Sequence, residues 1–123
     1  MWSPVLALGL DHLRSGSWDE AAIVFRGLIS VEPRWGYLQL ALALAEDRRG
    51  ATANALQAVN RATELEPGEP RSWLLSAELL RGAGDRERAV ECLERAAVLL
   101  QAGCPDPRLL ARMRLLRNSV GRS

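Results

Sequence analysis

Apolar residues recur along the chain at offsets of three and four, the period of an α-helix that buries one face. Ala21, Phe25 and Leu28 make such a stripe, which returns as Ala55, Val59 and Ala62 and again as Ala89, Leu93 and Ala96, each time 34 residues on. Gly16, Gly50 and Gly84 keep the same spacing, and upstream of them stand the columns Val5, Gln39 and Trp73, then Leu8, Leu42 and Ser76, then Gly9, Ala43 and Ala77. A fixed period of this length is the mark of a stacked repeat. Each repeat reads as two helices around a glycine that ends the first in the left-handed conformation.

Local signals place the helix ends. Ser17 with Glu20 has capping-box spacing, and Asp85 stands where it can cap the corresponding helix of the third repeat. Ser3-Pro4 and Asp106-Pro107 put a capping residue before a first-turn proline, and Pro33 and Pro67 stop the second helices, a column held by Gln101 in the third repeat. Helices are predicted at about 3–14, 18–31, 35–48, 52–65, 70–82, 86–100 and 106–119.

Composition agrees with an all-α chain: 22 Leu and 18 Ala among 123 residues are strong helix formers. No charge-free stretch approaches the ~20 apolar residues a membrane span needs, so no membrane insertion and a cytoplasmic location are expected. The 16 basic residues are all Arg, set against 15 acids. Residues 104–123 hold five of those Arg and one acid, a basic appendage expected to be a solvated face rather than a nucleic-acid or lipid site. One histidine, His12, and two cysteines, Cys92 and Cys104, cannot furnish a zinc site, a disulfide framework or a nucleophile with its base. No catalytic residue, metal or cofactor is expected. Gly82-Ala83-Gly84 follows a helix and lacks a third glycine, so it reads as an inter-helix turn and not a phosphate loop.

The stretch from Gly16 to Phe25, running on to Leu28 and Pro33, resembles the second-helix pattern of the tetratricopeptide repeat (TPR) family, and Trp73-Leu74-Leu75-Ser76-Ala77 resembles its first-helix pattern. The resemblance implies a right-handed superhelix of three units, 2–35, 36–69 and 70–103, with a capping helix in 104–123 whose Leu110 and Ala111 continue the first-helix columns. The chain departs from the pattern at His12 and Glu46, where an aromatic is usual, at Gln39, where a bulky apolar residue is usual, and at Gln101.

The resemblance further implies that the first helices line a concave groove. Val5, Leu8, Gly9 and His12 occupy its packing columns, which leaves Leu6, Leu10 and Leu13 in the first unit and Tyr37, Leu40 and Leu44 in the second on the groove side. In the third unit that side reads Arg71, Leu74, Glu78 and Arg81, and Arg14, Arg48, Arg108 and Arg112 add a basic rim. Trp18 and Trp73 hold packing positions, while Trp35 suits packing and ligand anchoring equally. These leucines are either core or a docking surface for an apolar amphipathic helix or extended segment of another protein. The family's clamp for a terminal carboxylate uses Lys and Asn in columns held here by Leu6, Leu10 and Ala41, which excludes that mode. In size and layout the chain resembles small bacterial TPR chaperones of type III secretion. The expected function is thus non-catalytic protein binding, as an adaptor or secretion chaperone. The alternative is a structural subunit whose groove takes another copy of the chain or a larger assembly.

Overall fold

Three glycines end three helices in the same way. Gly16, Gly50 and Gly84 adopt φ of 83°, 83° and 88°. The amide after each reaches five residues back, Ser17 N to His12 O at 2.8 Å, Ala51 N to Glu46 O at 2.9 Å and Asp85 N to Leu80 O at 2.9 Å. These are Schellman closures, which satisfy carbonyls that a helix end would leave unpaired. In this computed structural model, which describes residues 4–102 and 106–121 with the side chains at 120 and 121 left aside, the sequence-predicted turns all lie between helices.

The helices are α1 (Pro4–Ser15), α2 (Trp18–Val31), α3 (Gly36–Arg48), α4 (Thr52–Leu65), α5 (Pro70–Gly82), α6 (Arg86–Ala102) and α7 (Pro107–Gly121), and the described residues include no strand. Asp85 Oδ1 accepts from Arg88 N at 3.2 Å and Asp106 Oδ1 from Arg108 N at 2.9 Å, so both predicted aspartate caps form. Glu69 adds one, accepting from Arg71 N at 3.3 Å ahead of Pro70. The Ser17 cap does not form: its ψ of 69° is not the extended value that aims a hydroxyl at the first turn, and its Oγ lies 3.4 Å from Ser15 Oγ. Both α2 and α4 stop two residues before their prolines, whereas α6, with Gln101 in that column, runs through to Ala102. The predicted Ser3 cap, Trp2, Cys104 and Arg122 lie outside the described residues.

The chain divides into two compact units, Met1–Leu65 and Glu66–Ser123. In the first, Phe25 is fully buried among Leu6, Ala21, Ala22, Leu38, Ala41 and Ala45. A Cβ on Gly9 would stand 2.9 Å from Phe25 Cε1 and 3.0 Å from Val24 Cγ1, so glycine is what lets α1 approach α2. In the second unit Leu74, Ala77, Leu93, Ala96 and Leu116 bring α5, α6 and α7 to one core.

Burial corrects two column assignments. Val5 and Leu8, expected to pack, are 50% and 49% exposed. Leu42, one repeat on from Leu8, packs on the Phe25 cluster, and among the described residues no helix precedes α1 to cover Val5 and Leu8. Trp18 and Trp73, expected in the core, are half-buried. Trp73 lies at the edge of its cluster, where its Nε1 donates to Pro67 O at 2.7 Å and the Arg95 guanidinium sits 5.2 Å from its ring centre.

Candidate functional site

The groove residues separate by depth. Leu6, Leu40 and Leu74 hold one column of α1, α3 and α5 and are 4%, 5% and 0% exposed, so they are core and do not line a surface. Leu6 shares the Phe25 cluster with Leu38, Ala41 and Ala45 of α3, and Leu74 shares its cluster with Leu93 of α6 and Leu116 of α7. The same spacing that puts a leucine on the first-helix side also puts it under the next helix, and sequence periodicity does not separate the two.

What remains in the unit Met1–Leu65 is a rim of partly exposed apolar side chains. Leu10 and Leu13 from α1 and Trp35 and Tyr37 from the start of α3 rest on the Phe25 core with one side and meet solvent with the other. The Trp35 and Tyr37 rings lie 5.8 Å apart at 36°, so Trp35 packs and is displayed at once. Leu44 is also partly exposed, and Arg14 and Arg48 stand exposed at the last turns of their helices. Arg14 pairs with Asp11 at 3.1 Å, which leaves its charge at the surface but neutralised nearby.

In the unit Glu66–Ser123 the first-helix side is charged. Glu78 of α5 accepts from Arg112 of α7, 2.6 Å from Nη2 to Oε1 and 3.3 Å from Nε to Oε2. With Arg81, Leu115, Leu116 and Ser119 they line a depression of about 300 Å³. Arg71 is held by Glu69 at the start of α5. Of the expected basic rim, Arg14 and Arg112 each pair with an acid, and Arg71 on the same side is held by Glu69.

A polar centre missed by the sequence reading lies at the other end of α3. Glu46 is fully buried, and its carboxylate accepts from Arg26 of α2 at 2.8 Å, from Arg49 at 3.0 Å and from Asn54 of α4 at 2.9 Å. Arg49 also reaches Asp19 at 2.6 Å. The Glu46 hydrogen bond, and after it the one to Asp19, holds Arg49 above its ordinary pKa. With three donors on one carboxylate and no buried side-chain polar atom unpaired among the described residues, the cluster is a satisfied tie between α2, α3 and α4. The only sequence signal for it was a glutamate in a column that is usually aromatic.

His12 is partly buried, and the free Cys92 thiol lies 3.5 Å from Ser76 Oγ, to which it donates. Among the described residues there is no cluster of three His, Cys, Asp or Glu able to hold a metal, and no helix long and apolar enough to cross a membrane.

A family model described as tetratricopeptide repeat matches residues 6–70. No curated protein sequence matches the chain. Among solved structures, PcrH from Pseudomonas aeruginosa is 25% identical with a TM-score of 0.89, over 98% of this chain and 96% of that one. PcrH in complex with the chaperone binding region of PopD is 26% identical with a TM-score of 0.89, over 95% and 88% of the two chains. The type III secretion translocator chaperone SycD of Yersinia enterocolitica has a TM-score of 0.90 at 20% identity, over 95% and 81%, a likeness of fold.

Proposed function

The chain belongs to the tetratricopeptide repeat family, and from that premise we propose that it is a chaperone of a type III secretion system that holds an apolar segment of a secreted protein. The observation that carries this reading is the match in fold and sequence to PcrH, which was solved with the chaperone binding region of PopD. The partly exposed rim of Leu10, Leu13, Trp35, Tyr37 and Leu44 supports it, because a row of half-covered apolar side chains gains most from a segment that covers the rest. Covering the exposed third or less of each such side chain contributes at most about 1 kcal/mol. Arg14 and Arg48 would border a segment held on the first unit, and Arg71, Glu78 and Arg81 offer a charged first-helix side on the second; such charges set orientation more than affinity. Leu6, Leu40 and Leu74 act from beneath by fixing the helices.

On this reading the protein works in the cytoplasm before export, is non-catalytic and needs no cofactor. Its organisation is three repeat units, 2–35, 36–69 and 70–103, with 104–123 as the cap. A second copy of the chain is the competing occupant, favoured by the exposed Val5 and Leu8 on α1. Affinity capture from the native lysate by the full chain and by Leu44→Glu, followed by light scattering on the eluate, separates the two. A single heterologous protein bound by the wild type and lost by the variant supports the chaperone. Recovery of a defined homo-oligomer alone assigns the surface to self-assembly.

A further inference from the structure

The depression between α5 and α7 is built unlike the apolar rim of the first unit. Its floor is Leu116, which is 5% exposed, while Leu115 on its edge is 72% exposed, a large apolar side chain left open to water. Two guanidiniums and one carboxylate line it, and Arg112 is already bound to Glu78 through two hydrogen bonds. Arg81 is exposed and makes no ion pair among the described residues, so the one uncompensated charge of the depression is its guanidinium. An open leucine beside an uncompensated guanidinium is complementary to an apolar residue beside a carboxylate.

We propose, resting on the chaperone reading above, that this depression takes an Asp or Glu side chain of the bound segment, next to an apolar residue that packs on Leu115. Arg81 offers a planar pair of donors to the carboxylate. The Glu78 carboxylate, held in place by Arg112, repels an acid seated one position away and so fixes the register of the segment. The site differs from a clamp for a terminal carboxylate, which needs several convergent free donors, because here a single free guanidinium meets a side chain. Its effect is on which segments bind and in which register, the usual role of a charge at the edge of an interface.

The test is selection of random displayed peptides on the full chain, on Arg81→Glu and on Leu44→Glu, with a synthetic copy of an enriched peptide measured by titration calorimetry. Arg81 is exposed, so the variant keeps its helicity, which circular dichroism checks. Wild-type selections are expected to share an acid beside an apolar residue, and Arg81→Glu selections to carry Lys or Arg there. The synthetic peptide should lose about 5-fold in affinity for Arg81→Glu and regain it when its acid is changed to Lys. Enriched peptides with apolar anchors and no acid, or an acid that persists on Arg81→Glu, would overturn the subsite and leave the apolar rim standing. No enrichment, or enrichment equal on Leu44→Glu, would overturn the binding reading and the subsite with it.

Discussion

Glu78 and Arg112 stand 34 residues apart in sequence and 2.6 Å apart in space. One repeat length separates them, so they occupy the same column as Leu10 and Leu44 in consecutive first helices, and the column changes from apolar to an ion pair between the first unit of the fold and the second. Both side chains are about two-fifths exposed, 39% for Arg112 and 36% for Glu78, which limits the pair to at most about 1 kcal/mol of stability. Its weight lies in geometry: two parallel donors fix the rotation of α7 against α5 and leave Arg81 free.

Two leucines four residues apart on α3 should behave oppositely. Leu40→Ala opens a cavity and is expected to cost about 2–5 kcal/mol. Leu44→Glu, at a partly exposed position, should retain the helical spectrum and lose partner capture. Urea unfolding followed by circular dichroism, beside the capture assay, reads both; equal loss of stability in the two would place Leu44 in the core.

Gly9 and Gly27 give a paired test of close packing. Gly9→Ala forces a methyl to within 2.9 Å of the buried Phe25 ring and should destabilise by about 1–3 kcal/mol. Gly27→Ala, at an exposed position of α2 with nothing within 4 Å, should stabilise by about 0.5–1 kcal/mol through helix propensity. Chemical denaturation midpoints decide the signs.

Gly50 isolates backbone strain from packing. Its φ is 83° and a Cβ there would meet nothing within 4 Å, so Gly50→Ala should cost about 1–2 kcal/mol for the left-handed conformation alone. A neutral result in thermal unfolding would mean that the turn relaxes and the Schellman closure is not required.

The Glu46 tie should weaken from its centre and not from its edge. Glu46→Ala leaves Arg26, Arg49 and Asn54 without their shared acceptor and is expected to cost about 2–3 kcal/mol, less than a wholly buried pair because both arginines reach solvent. Asp19→Ala, at a side chain 73% exposed, should cost under about 0.5 kcal/mol. Hydrogen exchange should show the Glu46 variant opening at the α2, α3 and α4 contacts.

The sequence by itself determined the seven helices and the turns between them, because their signals act within a few residues. A glycine that must take positive φ, a proline that cannot continue a helix and an aspartate that caps an amide two or three residues on are local chemistry, and the glycines and helix-stopping prolines stand where the 34-residue period places them. Ser17 is the local signal that failed: its ψ is 69° and its Oγ lies 3.4 Å from Ser15 Oγ, whereas Asp85, in the same column after the same closure, does cap its helix. What lies across from a side chain was decided only by tertiary structure. Leu40 and Leu44 share a helix and a residue type, yet one is covered by neighbouring helices and the other is not. Glu46, read as a departure from the pattern, becomes a buried acceptor only because two further helices bring it Arg26 and Asn54. A helix's own period sets the direction in which a side chain leaves the axis, and burial depends on what the rest of the chain puts there.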